Sequence, residues 1–233
     1  MKNLLNFVRT ISLIRTIKVA VHTGLLALAA ATIFGGSAFA QAPQSRFSDV
    51  NGIRIHYLIS GKGDPIVLLH GYAETSHMWL PLIEQLRQTH TVIAPDLRGF
   101  GQSSAPPDGY TKKGMALDIH ALVSGLGFEH IRLVGHDIGL MVAYAYAAQY
   151  PKEVDRIVLM DAFLPGVGNW HDVWLLRDLW HFHFYGETAL GLVKGRERIY
   201  LEHFWNDFAA DKTHSVPERD RSCTQQPMHN RDI

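Results

Sequence analysis

Short apolar runs alternate with segments of helical periodicity through the middle of the chain. Runs of this kind, with few polar residues, are typical of strands buried on both faces of a sheet. They are predicted at 65–69, 91–94, 131–134 and 156–160, and the helical segments between them at 79–86, 115–126 and 140–150. This alternation predicts an α/β fold with a mostly parallel sheet and crossover helices on both faces.

Two further features are predicted from local patterns. Residues 47–60 alternate in polarity around Asn51-Gly52, a dipeptide that favours a tight turn between two antiparallel strands. In the predicted helix 115–126, one apolar face is expected to carry Leu117, Ala121, Leu122 and Leu126.

The pattern changes after Asp161, where aromatic residues become dense and the strand pattern ends. Trp170, Trp174 and Trp180 belong to this stretch, whose spacing is helical. We predict a core over residues 41–165 and a partial helical cap over residues 166–233. No strand pattern follows Asp161, so the last strands of the sheet are expected to be missing. Residues 221–233, approximately, are expected to form an aberrant tail.

Residues 1–40 have a composition of their own. Basic residues precede an apolar run over 24–34, and Ala38-Phe39-Ala40 resembles a cleavage site. This order is typical of a secretory signal peptide. The alternative is a membrane anchor, but the run is shorter than the ~20 residues that a bilayer span needs. The mature protein is therefore expected in the periplasm or outside the cell, and its single cysteine, Cys223, allows no intramolecular disulfide.

Charge and composition indicate which kinds of binding partner are not expected. The chain of 233 residues has 22 Lys+Arg and 22 Asp+Glu, so its formal net charge is zero. This balance predicts neither nucleic acid nor an anionic membrane surface as a partner. A hydrophobic content of 47% with 19% charged residues favours one globular domain over a disordered chain.

A Gly-x-x-x-Gly motif lies between the third apolar run and the next helix. It comprises residues 135–139 and matches a nucleophile elbow, although such spacing also occurs by chance in strand-to-helix turns. Asp137 holds the nucleophile position, and a carboxylate attacks an sp3 carbon to form an ester that water then cleaves. The earlier strand ends at His70-Gly71-Tyr72. The backbone N–H groups of Tyr72 and Ile138 are expected to form an oxyanion hole.

The order of these motifs resembles that of α/β-hydrolases with an aspartate nucleophile, which include epoxide hydrolases and haloalkane or haloacetate dehalogenases. The resemblance covers residues 47 to about 220 and rests on Asp-Leu-Arg-Gly-Phe-Gly-x-Ser at 96–103 followed by Gly-His-Asp-Ile-Gly. Residues 180–184 and 195–204 look most similar to secreted Cif-type epoxide hydrolases. The resemblance implies an α/β-hydrolase fold and a small-molecule substrate, an epoxide or alkyl halide, with no cofactor and no metal.

The resemblance also implies roles for two further residues. Asp161 ends the strand after the elbow, where several relatives place the acid that orients the catalytic histidine. The alternative is an aspartate that caps the following turn. His181 matches a cap histidine that helps to hold the epoxide oxygen in Cif-type enzymes, and a packed, hydrogen-bonded core histidine is the alternative.

Two departures from the family bear on the substrate. Tyr72 is followed by Ala73-Glu74, without the proline that is usual after His-Gly-x in many relatives. Fluoroacetate-type dehalogenases place an arginine after the nucleophile and a tryptophan after the cap histidine, where this chain has Ile138 and Phe182. Epoxide opening is therefore the predicted reaction. Dehalogenation and a non-catalytic exported protein with this fold are the alternatives.

The histidine that activates the hydrolytic water is not found where the family places it, beyond the cap and two further strands. His203, His214 and His229 follow no predicted strand, and the side chain of His136 is expected to point away from Asp137 and serve the fold. We expect a frameshifted, truncated hydrolase that is inactive or whose ester persists. An unpaired sheet edge is expected to leave it marginally stable or prone to aggregation.

Overall fold

The computed structural model describes residues 42–209, 211–212 and 214–224. The chain divides into two units at Ala42, and the fold below is that of the second unit, Pro43–Ile233. The predicted signal peptide over 1–40 lies outside the described residues, as does most of the predicted aberrant tail. Within the described ranges, no helix is both long enough and apolar enough to cross a membrane.

Six strands form one sheet in the spatial order β1-β2-β4-β3-β5-β6. They are β1 Gln44–Val50, β2 Ile53–Ser60, β3 Asp64–Leu69, β4 His90–Pro95, β5 Ile131–His136 and β6 Val154–Met160. β3, β4, β5 and β6 pair in parallel, whereas β1 with β2 and β2 with β4 are antiparallel. The four apolar runs of the sequence are the four parallel strands, so the predicted, mostly parallel sheet is confirmed.

The predicted hairpin begins this sheet. Val50 pairs with Ile53 across a two-residue turn in which φ is +49° at Asn51 and +79° at Gly52. Positive φ at both central residues is the requirement of a type I′ turn, whose twist fits paired strands. The Asn51 amide also donates to Asp118 Oδ1 over 3.1 Å, which ties the turn to a core helix.

Three helices connect the core strands, α1 Leu80–Leu86, α2 Lys112–Gly125 and α3 Ile138–Gln149, and a 3₁₀ turn at Ser76–Trp79 precedes α1. The buried apolar face of α2 consists of Met115, Ala116, Ile119, Leu122 and Val123. The predicted face of this helix was wrong at Leu117, whose residue surface is 39% exposed. Leu117 lies about 200° around the helix from Met115, and therefore points away from the core.

Alternate residues of the parallel strands belong to two hydrophobic clusters. Val67 and Leu69 pack in the cluster that contains the buried residues of α2 and α3. Ile66 and Leu68 pack in the other cluster, with Ile83 of α1. Because successive strand side chains point to opposite faces, helices cover both faces of the sheet, as predicted.

β6 is the last strand in the described part of the chain, and there it pairs only with β5. Ile157, Val158 and Leu159 are exposed by 37%, 49% and 41%, although they form an apolar strand. An exposed apolar edge strand is an aggregation hazard. The expectation of marginal stability remains a prediction that an unfolding measurement can test.

The chain after β6 is helical, as predicted. It contains α4 Trp170–Trp174, α5 Glu187–Val193, α6 Glu197–His203 and α7 Glu218–Thr224, with a 3₁₀ segment at Arg177–His183 and a π-helical turn at Phe204–Phe208. Ring contacts join these short pieces, since Phe182 lies 5.2 Å from Phe163 and 5.7 Å from Trp174. The cap reaches the core at Tyr72, whose hydroxyl is 3.2 Å from that of Tyr200.

Candidate active site

Asp137 lies in the turn between β5 and α3 with φ +49° and ψ −121°. This conformation lies outside the regions that L-residues normally adopt, and such strain concentrates at functional sites. A Cβ on Gly135 would lie 2.4 Å from Gly139 O, and one on Gly139 would lie 2.4 Å from Leu69 O. Both glycines are thus required by close backbone contacts, and the turn has the geometry of a nucleophile elbow.

The loop after β3 supplies a hydrogen-bond donor to the Asp137 carboxylate. Tyr72 N–H donates to Asp137 Oδ2 over 2.9 Å. Ile138, the second residue predicted for the oxyanion hole, is the first residue of α3. Backbone N–H groups in the first turn have no partner within the helix. The backbone N–H of Tyr72 therefore contacts the Asp137 carboxylate directly. Ile138 follows Asp137 in the chain, at the start of α3.

The ionisation of Asp137 depends on its neighbours. Burial raises the pKa of Asp137 above the usual 3.8, because the carboxylate loses solvation. Tyr72 N–H, His136 and Lys112 lower this pKa, while Glu74 raises it. The charge of the candidate nucleophile is therefore set by burial together with three nearby ionisable groups.

The loop that carries Tyr72 departs from the family pattern at Ala73, where φ is +57°. Proline is usual at this position, but its ring fixes φ near −65° and cannot adopt such a conformation. A Cβ on Gly71 would lie 2.8 Å from Asp137 Cβ and 2.9 Å from His136 Nδ1. The loop therefore packs directly against the nucleophile turn, with no room for a side chain at Gly71.

His70 is a structural residue that links the loop at Gly71 to the backbone of Leu97. Its side chain is fully buried. Its Nε2 accepts the Leu97 N–H over 2.9 Å, which leaves Nδ1 to donate to Gly71 O over 2.8 Å. Burial lowers the pKa of His70, so its ring is neutral at neutral pH.

Asp161, the predicted orienting acid, follows β6 with φ +60° and an 83% exposed side chain. Its Oδ2 lies 3.3 Å from Nε2 of His136. The other ring nitrogen of His136 lies 3.0 Å from Glu74 Oε2. The imidazole that Asp161 contacts is thus that of His136, a residue expected to serve only the fold.

His181, the predicted contact of the epoxide oxygen, lies in the 3₁₀ segment of the cap. Its ring is 4.6 Å from Phe182 and 5.0 Å from Phe204, and Phe204 is 5.9 Å from the Tyr72 ring. Burial and then the neighbouring His203 lower the pKa of His181. Phe204 therefore contacts the rings of both His181 and Tyr72, and His181 packs against aromatic neighbours.

Three residues near Asp137 have no role in the sequence prediction. Glu74 and Lys112 interact with its charge, and Tyr200 contacts Tyr72 from 128 residues away along the chain. A small, mostly apolar cavity is lined by Tyr72, Tyr200, Ala189, Leu190 and Val193 among others. No local pattern indicates such distant contacts. Among residues 42–209, 211–212 and 214–224, no group of three or more His, Cys, Asp or Glu residues could hold a metal ion.

Comparison with known proteins shows the family. A family model described as alpha/beta hydrolase fold matches residues 64–222, which is more than half of the chain. The chain belongs to the α/β-hydrolase fold family. The segment of the chain that matches the family model begins at β3, contains the turn at Asp137 and extends through most of the cap.

Similar proteins include an epoxide hydrolase and a dehalogenase. The chain is 37% identical over 161 residues to a soluble epoxide hydrolase from Corynebacterium sp. (strain C12), covering 66% of this chain and 56% of that protein. It is 34% identical over 153 residues to a fluoroacetate dehalogenase from Burkholderia sp., covering 63% and 50%. The solved structure of the epoxide hydrolase CorEH matches with a TM-score of 0.71 and 32% identity, covering 78% and 66%. The chain spans about half the length of the curated relatives it matches.

Proposed function

We propose that this protein is a hydrolase of the epoxide hydrolase type with Asp137 as its nucleophile. The observation that carries the proposal is the Asp137 carboxylate in a strained strand-to-helix turn, with Tyr72 N–H donating to it. A carboxylate nucleophile attacks an alkyl carbon, and an epoxide presents such a carbon. Similarity to proteins named as epoxide hydrolases supports this reaction class.

In the proposed first step, a carboxylate oxygen of Asp137 bonds to an epoxide carbon while the bond from that carbon to the ring oxygen breaks. The ring oxygen becomes an alkoxide and takes a proton from a nearby acid. The family resemblance implies that His181 helps to hold this oxygen. The hydroxyls of Tyr72 and Tyr200 are the proposed source of the proton, because both residues line the cavity at the junction of cap and core.

In the proposed second step, the oxygen of a water molecule bonds to the ester carbonyl carbon of Asp137 and the ester C–O bond breaks. One proton of the water goes to the departing alkoxide to give the diol, and the other restores the acid of the first step, so that Asp137 is again a carboxylate. The N–H groups of Tyr72 and Ile138 stabilise the negative charge that develops on the carbonyl oxygen. Asp161 orients the imidazole of His136, which faces carboxylates on both nitrogens. This favours the protonated ring, which cannot accept a proton from water. We therefore propose that the ester is hydrolysed more slowly than it forms.

The proposed substrate is a small, uncharged epoxide. The cavity beside Tyr72 is lined mostly by apolar atoms, including those of Ala189, Leu190 and Val193. The formal net charge of zero supports small molecules over nucleic acid as partners.

We also propose that residues 1–40 are a signal peptide and that the mature protein acts in the periplasm or outside the cell. Basic residues before an apolar run, followed by Ala38-Phe39-Ala40, support this proposal. N-terminal sequencing of protein recovered from the periplasm or the medium tests it. We expect a start at Gln41, and an intact start at Met1 would contradict cleavage.

Single-turnover consumption of styrene oxide tests the proposed reaction. With protein in excess over epoxide, we expect the wild type to consume the epoxide and Asp137→Asn to leave it unchanged. Asp155→Asn is the matched control, because it removes a 47% exposed carboxylate from β6. Consumption that is the same in the wild type and in a folded Asp137→Asn variant would count against the proposal.

Dehalogenation is the second candidate, because the relative from Burkholderia sp. is named a fluoroacetate dehalogenase. The same attack by Asp137 would then break a carbon–halogen bond and release the halide. Ile138 and Phe182 stand where that type has an arginine and a tryptophan, which disfavours this reaction. Fluoride release from fluoroacetate that exceeds epoxide consumption would favour it. Ligand binding that survives Asp137→Asn, with no turnover of either compound, would instead support a non-catalytic protein.

A further inference from the structure

The imidazole of His136 faces a carboxylate on each of its nitrogens. Nδ1 lies 3.0 Å from Glu74 Oε2, in the loop after β3, and Nε2 lies 3.3 Å from Asp161 Oδ2, after β6. Ionised carboxylates only accept hydrogen bonds, so both ring nitrogens have to donate. An imidazole donates from both nitrogens only when it is protonated. The geometry therefore selects the cation.

The neighbouring charges favour the same form. The hydrogen bond that His136 donates to Glu74 raises the pKa of His136 to about 9, against the effect of burial, and Asp161 and Asp137 act in the same direction as Glu74. His136 is consequently protonated at neutral pH. Its side chain is only 23% exposed, so water screens this charge less than it would screen a surface charge.

Glu74 also holds the loop that faces the nucleophile. Its Oε2 accepts the Gly71 N–H over 2.8 Å in addition to its contact with His136. The next residue, Tyr72, donates its N–H to Asp137. The contact of Glu74 with His136 therefore joins the loop to the nucleophile turn at a second point.

The charges around Asp137 act on its ionisation in opposite directions. Burial raises the pKa of Asp137, His136 lowers it, and Glu74 raises it. Lys112 also lowers it from the start of α2, while His70 adds no charge because burial lowers its own pKa. Only the ionised carboxylate attacks an epoxide. Loss of the His136 charge should therefore reduce the reactive fraction of Asp137 in acidic solution.

We propose that Glu74, His136 and Asp161 form a positioning cluster, in which two carboxylates hold His136 as a cation beside the buried Asp137, and in which His136 favours and Glu74 opposes the ionisation of that carboxyl group. Glu74 has the second task of fixing the loop that presents Tyr72. The cluster acts through Asp137 and Tyr72 and does not itself react. Its kinetic consequences rest on the proposed function, whereas its electrostatic consequences can be measured without any substrate.

NMR titration of the full-length chain tests the electrostatic part. With isotope-labelled histidine and aspartate, the signals of His136 and Asp137 are assigned by their loss in His136→Gln and Asp137→Asn. We expect His136 to titrate near pH 9 in the wild type. The midpoint should fall by about one pH unit or more in Glu74→Gln, and by less in Asp161→Asn. A midpoint near the ordinary 6.5 in the folded wild type would overturn the proposal.

Asp155→Asn is the matched control for this titration. It removes an exposed carboxylate that lies 3.5 Å from His130, at the opposite end of β6 from Asp161. We expect it to leave the His136 midpoint unchanged. A shift equal to that in Glu74→Gln would show a general effect of net charge and would overturn the role of the cluster.

The direction of the shift at Asp137 separates an electrostatic role from a structural one. In His136→Gln, the midpoint of Asp137 ionisation should rise by about one pH unit, and the acidic limb of styrene oxide consumption should rise with it. In Glu74→Gln, the midpoint of Asp137 ionisation and the acidic limb should both move to lower pH. The new amide oxygen can still accept the Gly71 N–H, so the loop contact is kept. Rates that drop equally at every pH, with unmoved midpoints, would overturn the proposal.

These measurements also separate the cluster from the proposed function. If folded wild type consumes no epoxide but the midpoints of His136 and Asp137 shift as expected, the function fails and the electrostatic cluster stands. If epoxide is consumed but the midpoints do not move, the cluster fails and the function stands. Should His136→Gln not fold, Glu74→Gln still decides, because a loss of stability does not predict a downward shift at Asp137.

Discussion

Asp96 and Asp137 are aspartates at the carboxyl ends of two parallel strands that flank β3 in one sheet, yet their surroundings differ. Asp96, directly after β4, accepts the Ser76 N–H at 2.7 Å and the Gln102 N–H at 2.9 Å. It also lies 2.8 Å from Nδ1 of the buried His56. These contacts engage both of its carboxylate oxygens and tie two loops to the sheet.

Asp137 receives the Tyr72 N–H on Oδ2 and shares its surroundings with a cation and a second carboxylate. Burial raises the pKa of both aspartates, but His56 and two backbone N–H groups bring that of Asp96 down to about 2. For Asp137 the effect of burial prevails. A buried carboxylate with its acceptor sites filled stabilises the fold, whereas one with lone pairs left over is available to attack a substrate.

The largest effect expected from this comparison is the kinetic effect of Asp137→Asn. Removal of the proposed nucleophile should slow styrene oxide consumption by at least about a thousandfold. The free energy of unfolding should stay unchanged or rise, because the amide removes a poorly solvated charge. Single-turnover kinetics and urea unfolding of the same preparation measure both quantities. A large loss of stability in Asp137→Asn would show that Asp137, like Asp96, stabilises the fold, and would contradict the distinction between the two aspartates.

Asp96→Ala should have the largest effect on stability. It leaves the N–H groups of Ser76 and Gln102, and the ring of His56, without their carboxylate, which should lower the free energy of unfolding by about 3–5 kcal/mol. Urea unfolding at neutral pH measures the loss. The exposed Asp155→Ala control should change stability by no more than about 0.5 kcal/mol. A loss from Asp96→Ala as small as that of the control would contradict the structural role.

The contributions of the two aspartates to the free energy of unfolding should also depend on pH in opposite directions. The pKa of Asp96 is lowered from 3.8 to about 2 on folding. Its stabilisation, about 2 kcal/mol, is therefore present above pH 4 and lost as the pH falls towards 2. The pKa of Asp137 is raised, so its charge opposes folding above the ordinary pKa, and acid relieves this effect. Urea unfolding between pH 7 and pH 2 should show the Asp96→Asn deficit and the Asp137→Asn gain both shrinking in acid.

The smallest effect is expected at Ser103, which supports Asp96. Its hydroxyl donates to Asp96 O over 2.7 Å and accepts the His56 N–H over 2.9 Å in a buried setting. Ser103→Ala should cost about 1 kcal/mol of unfolding free energy. The neighbouring Ser104→Ala is the matched control and should cost less, because its contact with Arg54 is exposed. Equal losses would show that burial does not govern this network.

Local sequence patterns were sufficient for the fold elements and for the backbone geometry of the turn at Asp137. The Asn51-Gly52 turn, the apolar parallel strands and the elbow at Asp137 all depend on residues that are neighbours in the chain. The steric need for Gly135 and Gly139 follows from the same few residues. The error at Leu117 arose because apolar character alone does not settle which side of a helix faces the core.

The charge network around Asp137 could not be predicted in the same way. His136 meets Glu74 across 62 residues of sequence and Asp161 across 25. Such contacts require the strand order β3-β5-β6, which no local pattern specifies. Asp161 follows β6, as the apolar run before it predicts, and its role as the orienting acid stays a prediction. Its contact with His136 could be seen only in three dimensions.

Mass spectrometry of the tryptic peptide 133–152, which contains Asp137, tests the central claim most directly. The full-length protein is incubated with styrene oxide, quenched in acid at a series of times and digested. We predict a peptide that gains the mass of one styrene oxide, with the modification on Asp137, and that forms faster than it disappears. Consumption of the epoxide by folded protein while Asp137 stays unmodified at every time would contradict the claim.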